Sequence, residues 1–210
     1  MEFKRDGTFE TYRFDVAKTL MAMANLRDGG MMIFGVSQDE ERRFVFDGMS
    51  QSNVGSFVQE AVADHVNNYA SPSVEVCVIP VIHESKTVVA AVVSPFSHTP
   101  IVCRRDTPPD ATPPLKNGAL YVRLSDPVKT SRIMHANMMQ DLLHLAAGRR
   151  AAEIIRMLRE GGVRLEELPL EVSGVGAVSQ RPQTVDSTGL VATAEPNRFQ
   201  AEIEDVDDIL

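Results

Sequence analysis

The 210-residue sequence predicts an α+β fold: a mixed β-sheet of about six to seven strands with helices packed on it. Two observations predict it. A helix-spaced segment from Glu10 to Arg27 runs through Asp28-Gly29-Gly30 straight into the continuous apolar run "MMIFGV". Further on, "VEVCVIPV" and "TVVAAVVSP" read as two strands joined by the polar "IHESK", after a second helix-spaced segment.

The elements follow in order. In the first helix Phe14, Ala17, Met21 and Ala24 share a face, with Val16, Leu20 and Met23 beside it. "MMIFGV" is apolar at consecutive positions, as a buried central strand is. "QDEERR" is a solvated turn, and "FVFDG" is expected to pair back as the second arm of a hairpin. Val54, Phe57, Val58, Ala61, Val62, Val66 and Tyr69 then keep helical spacing, with Ser50 or Ser52 as cap and Pro72 preventing continuation. "TVVAAVVSP" is apolar on both faces, so it is expected to be central and covered by helices. "IVCRR" and "ALYVRL" are expected to pair across a long loop holding four prolines. Residues 130–160 read as one long helix or two shorter ones, broken near Gly148 and stopped by Gly161-Gly162. Cys77 and Cys103 lie in strand-like segments and are expected to be buried thiols. His65 falls on the apolar face of the second helix, the place of a packed core histidine.

Charge divides the chain. From Leu165 onward there are ten acidic residues and two basic ones, which accounts for the whole net charge of −8 and leaves the body neutral. That segment lacks apolar periodicity and is expected to be a flexible acidic tail. Three parts are expected: a domain over residues 1–132, a helical segment over 133–162 and the tail over 163–210. The longest apolar run is too short to cross a bilayer, which needs about 20 residues, and the N-terminus has no apolar stretch behind its basic residues. No membrane partner and a cytoplasmic location are therefore expected.

A glycine pair beside a strand raises the question of a phosphate cradle. Such cradles lead into a helix N-terminus, where free N–H groups face the anion. Here the glycines follow a helix, whose C-terminal carbonyls carry the wrong sign, and neither a Gly-x-Gly-x-x-Gly nor a Gly-Lys-Ser/Thr spacing is present. Gly29 or Gly30 is instead expected to take the left-handed cap conformation, with Asn25 tying down the same turn and Gly35 ending the strand.

Four stretches occur in order: "EFK" at Glu2–Lys4, "AMANLRDGGMMIFGV" at Ala22–Val36, "SPFSHTPIV" at Ser94–Val102 and "ALYVRLSD" at Ala119–Asp126. Together they resemble the Schlafen/AlbA-type nucleic-acid-binding domain family, over roughly Met1 to Arg132. The resemblance implies a mixed α+β sheet domain that binds DNA or RNA. The binding candidates are Lys4, Arg5, Arg42, Arg43, Arg104, Arg105, Arg123, Lys129 and Arg132, arginine pairs at strand ends being suited to bidentate phosphate contact.

Some members of that family are metal-dependent endoribonucleases with a carboxylate cluster. Carried over, Glu2 and Lys4 match the Glu-x-Lys. The acidic position after Gly-Val falls at Gln38, with Asp39 one residue further on, and the family's upstream glutamate has no counterpart. The alternative function is thus a ribonuclease using Glu2, Lys4 and Asp39 with a divalent metal; otherwise no cofactor or metal is expected. A third reading, from the methionines Met134, Met138 and Met139 and from the tail's apolar-acidic end, is a self-assembling adaptor, whose partners would be a second copy or a protein docking the tail.

Overall fold

The computed structural model describes residues 1–41, 43–125, 128–133 and 135–161. Arg42, Met134, Gly162 and the expected acidic tail lie outside the described residues. The chain begins with a short strand, β1 (Glu2–Lys4), and a helix, α1 (Phe9–Ala24), started by the Thr8 hydroxyl, which accepts the Thr11 N–H at 3.3 Å. β2 (Gly30–Phe34), β3 (Val36–Gln38) and β4 (Phe44–Phe46) follow, then α2 (Gln51–Gly55), α3 (Gln59–Tyr69) and β5 (Ala70–Ser71). β6 (Val76–His83) and β7 (Lys86–Val93) form a hairpin; β8 (Val102–Cys103), β9 (Tyr121–Ser125), β10 (Val128–Arg132) and α4 (Ala136–Glu160) complete the order.

The main sheet has four strands in the order β1-β2-β7-β6. α1 carries the chain back so that Glu2–Lys4 pairs parallel with Met32–Phe34, and the remaining pairs are antiparallel. β7 is central, as its continuous apolar character predicts. Met32, Phe34, Val89, Ala91 and Val93 bury against Val16, Leu20, Met21 and Met23 of α1 and Val62 and Val66 of α3 in one core. α1 touches α3, β2, β7, β9 and β10, so the residues from Leu20 to Ala24 are all buried rather than one stripe.

The other strands make three separate two-stranded ribbons, β3–β4, β5–β8 and β9–β10, in place of a single sheet of six to seven. Gly35 explains the first. Its φ of +94° and its tight packing against Gly48 and Met49 turn the chain out of β2. The hairpin partner of Phe44–Phe46 is therefore Val36–Gln38, not the apolar run. "IVCRR" and "ALYVRL" meet only at the Val102–Leu120 bridge, because Val102–Cys103 pairs with Ala70–Ser71 and Tyr121–Ser125 pairs with Val128–Arg132. Residues 130–132 are thus strand, and α4 starts only at Ala136. It runs unbroken through Gly148, since a lone helical glycine costs only about 1 kcal/mol. The second helix is divided at residues 56–58. The Ser56 hydroxyl donates to the Asn53 carbonyl and accepts the Phe9 N–H, competing with the helical ladder. Cys103 is buried, but Cys77 is exposed because the alternation of β6 puts it on the sheet face opposite the buried Val76, level with Val92 and the exposed Met31.

That edge is protected. The Gln59 amide donates to the Val76 carbonyl at 2.7 Å and accepts the Val78 N–H at 2.6 Å, standing in for a neighbouring strand. By the alternation of an antiparallel strand the next outward N–H belongs to position 80, which is a proline without one. The β6–β7 turn is Glu84-Ser85 with φ of 48° and 64°, the two positive values that a type I′ hairpin needs.

His65 packs among the rings of Phe9, Phe14 and Tyr69, and its Nε2 is buried without a partner among the described residues. Burial, with the nearby Arg13 charge, lowers its pKa below the usual 6.5. A depressed folded-state pKa means that stability is intact above the unfolded value and is lost as pH falls below about 6.5, where the unfolded chain binds the proton more readily. Denaturation midpoints measured from pH 7 to pH 5 are expected to fall more steeply for the wild type than for His65→Leu; parallel profiles would contradict this.

Candidate functional site

The period of two in β1 puts the Glu2 and Lys4 side chains on one face of the strand. Lys4 Nζ lies 2.7 Å from Glu2 Oε1 and 2.5 Å from Asp15 Oδ2 of α1. Burial alone would lower the Lys4 pKa, but hydrogen bonds and charge from Asp15 and Glu2 outweigh it and raise the pKa, so the ammonium stays charged. The second Glu2 oxygen accepts a hydrogen bond from the Arg123 guanidinium of β9. Arg123 also donates to Thr130 Oγ1 at 3.2 Å, its register partner on β10, and the Thr130 hydroxyl lies 3.4 Å from that of Thr19. The Arg123 side chain is 10% exposed, and its Nε has no partner among the described residues.

Two recesses open on either side of the Glu2–Arg123 pair. The larger, about 740 Å³, lies between β1 and the β3–β4 ribbon and is lined by Lys4, Arg5, Tyr12, Gln38 and Phe44 among others. The smaller, about 220 Å³, is lined by Asp15, Lys18, Thr19, Lys129 and Thr130. Around the two recesses five cations, Lys4, Arg5, Lys18, Arg123 and Lys129, meet two carboxylates, Glu2 and Asp15. The local balance is +3 on a chain whose total is −8.

The structure therefore brings Glu2, Lys4, Arg5, Arg123 and Lys129 together and leaves Asp39, Arg43, Arg104, Arg105 and Arg132 elsewhere. Asp39 accepts the Arg43 Nε and backbone N–H, each at 2.8 Å, in the hairpin turn, and those bonds hold its pKa below the ordinary carboxylate value. Arg43 also pairs with Glu41 at 2.6 Å. Asp39 and Glu2 thus have separate partners. Among the described residues no three His, Cys, Asp or Glu side chains form a group able to hold a metal. Arg104 Nε donates to the Asn68 carbonyl, and the Arg105 guanidinium lies 5.9 Å from the Tyr69 ring centre, both at the end of α3. Arg132 is the last residue of β10 and is exposed.

Gly29 takes the left-handed conformation, with φ +72°. Gly30 lies under Met23, whose side chain would meet an added Cβ at 2.7 Å. The Asn25 side chain bonds outside this turn: its Nδ2 donates to the carbonyls of Ile101 and Tyr121 at 2.9 Å each, and its Oδ1 accepts the Ile101 N–H at 2.7 Å. It ties the end of α1 to β9, and so holds Arg123 beside Glu2. Arg149 of α4 closes the same corner. Its guanidinium donates to the carbonyls of Leu26, Arg27 and Phe96 and lies 4.1 Å from the Phe96 ring centre, placing a cation at the negative end of α1.

Sequence reasoning passed over Asp15, Lys18, Tyr12 and Phe44. The first two carry a readable signal, polar residues at i and i+3 opposite the apolar face of α1. The place of Phe44 in the cleft depends on the ribbon geometry.

The sequence pattern described as Schlafen, AlbA_2 matches residues 1–130. The chain belongs to this family. The Schlafen AlbA_2 match takes in Glu2, Lys4, Arg5, Asp15, Lys18, Arg123 and Lys129, so both recesses fall inside it, while α4 lies beyond. Among curated proteins none matches the chain. Among solved structures it is similar to the DIP2311 protein of Corynebacterium diphtheriae, with a TM-score of 0.41 and 16% identity over 63% of this chain and 21% of that one. It is also similar to the N-terminal domain of a RecG-related protein of Nitrosomonas europaea, with a TM-score of 0.39 and 20% identity over 53% of this chain and 74% of that one. The chain spans about a fifth of the DIP2311 protein's length. Among the described residues of this Schlafen AlbA_2 protein no helix is long and apolar enough to cross a membrane.

Proposed function

We propose that the chain binds DNA or RNA through the phosphate backbone, without catalysis and with little regard to sequence. The observation that carries the reading is the +3 balance around the Glu2–Arg123 pair, on a domain whose family membership points the same way. Glu2 and Asp15 act as positioning residues. Each holds Lys4, and Glu2 also holds Arg123, so two long cationic side chains are fixed in place before a ligand arrives. Arg5, Lys18 and Lys129 stand around them and supply the outward charge for phosphate oxygens.

Backbone binding of this kind releases counterions. About three phosphate contacts give a slope of log affinity against log salt of about −2 to −3. Anisotropy titrations of the full chain into labelled DNA and RNA at stepped salt concentrations are expected to give weak binding with that slope. No binding at low salt, or binding that is independent of salt, would contradict the proposal.

A further inference from the structure

The larger recess is not only cationic. Phe44 forms one wall and is 51% exposed. One side of its ring packs on Phe3, with centroids 4.4 Å apart and planes tilted by 43°. The rest of the ring is open to water, an arrangement that folding alone does not favour. Tyr12, also in the lining, is fixed, because its ring packs on Phe34 at 5.5 Å and its hydroxyl donates to the Arg5 carbonyl at 3.3 Å. The volume of about 740 Å³ falls within the range of about 300–1,000 Å³ that takes compact ligand groups.

We propose that this cleft takes a single-stranded segment of nucleic acid, with one base stacked on Phe44 and a flanking phosphate at Arg5. The inference rests on the nucleic-acid reading above and names the form of the ligand. Cationic lining calls for a polyanion, and an exposed aromatic face calls for a flat apolar one; an unpaired strand presents both. A duplex does not, because its base faces are covered by their neighbours and only edges and phosphates reach the surface. Gln38 and Ser37, which also line the cleft, can donate to or accept from a base edge without selecting one base.

The experiment compares a short labelled DNA strand with its duplex, titrated with the full chain at low salt. The single strand is expected to bind more tightly than the duplex. Phe44→Ala is expected to weaken the single strand by about 5- to 150-fold, the range for loss of one stacked base, and to leave the duplex unchanged. Phe44→Leu keeps apolar bulk in the ribbon and should lose the same affinity, which separates stacking from folding. The chain contains no tryptophan, so Phe44→Trp introduces a single indole whose emission is expected to be quenched as the strand binds. Equal binding of strand and duplex with no effect of the Phe44 variants, or an unquenched indole at saturation, would overturn the inference and leave the nucleic-acid reading standing. If the indole emission shifts to the blue with protein concentration alone, a second copy covers the ring and the inference fails. Binding of neither probe by the wild type would overturn the nucleic-acid reading itself.

Discussion

Asn25→Ala is expected to cost at least about 3 kcal/mol of folding stability, because it leaves three buried backbone groups without partners at about 1–3 kcal/mol each. Asn25 is 3% exposed, and its amide serves the Ile101 carbonyl, the Tyr121 carbonyl and the Ile101 N–H together. None of the three gains a substitute when the side chain is cut back. Such a loss is a large share of the 5–15 kcal/mol that ordinary domains have. Asn25→Asp should not rescue it. The carboxylate keeps an acceptor for Ile101 but sets negative oxygen against two carbonyls. Chemical denaturation of both variants checks this, and a loss under about 1 kcal/mol for Asn25→Ala would show that the amide does not tie α1 to the Ile101 and β9 segments.

Gly29→Ala is expected to destabilise by about 3 kcal/mol, from left-handed strain together with overpacking. With φ at +72°, an added Cβ would lie 2.2 Å from the Val93 carbonyl oxygen and 3.0 Å from the Pro95 nitrogen, both backbone atoms that cannot swing aside. Gly30→Ala should cost less, because Gly30 is not in the left-handed region and the atoms met are those of one side chain, Met23, at 2.7 Å and beyond rather than a backbone oxygen at 2.2 Å. Gly148→Ala should gain about 0.5–1 kcal/mol, as expected for a helical glycine; nothing lies within 4 Å of its added Cβ. Thermal melts of the three variants should rank in that order. A Gly29→Ala variant as stable as the wild type would refute the strained turn.

The helix, glycine turn and strand at residues 9–34 were legible because their signals are local: apolar spacing, then a residue free to take positive φ, then a continuous apolar run. β7 was legible as central for the same reason. The partners of Asn25 were not, since Ile101 and Tyr121 lie 76 and 96 residues away and no pattern at Asn25 points to them. Gly35 was legible as a turn residue, but its packing against Gly48 and Met49, 13 and 14 residues on, was not. The "IVCRR" and "ALYVRL" segments are both good strands, and their propensity does not say which partner wins. At the candidate site, Glu2, Lys4 and Arg123 were legible through the family resemblance. Asp15 and Lys18 look like the solvated side of a helix until β9 and β10 are folded beside it. Arg104 and Arg105 read as phosphate ligands in sequence, and their place at the end of α3, away from the two recesses, comes only with the fold.

The central claim is that the face around Glu2 and Arg123, rather than arginine content in general, binds the phosphate backbone. The direct measurement compares two neutralised variants of the full chain on the same labelled single strand across a salt series. Arg5→Gln/Lys18→Gln/Lys129→Gln removes the three outward charges of the face and spares the Glu2–Lys4–Arg123 network, while Arg104→Gln/Arg105→Gln removes two charges from the end of α3. The first variant is predicted to lose affinity by tenfold or more and to flatten the salt slope by about 2, close to 0.7 for each lost phosphate contact on a single strand. The second is predicted to match the wild type in both. Equal losses in the two variants, or a loss confined to the Arg104/Arg105 variant, would contradict the account.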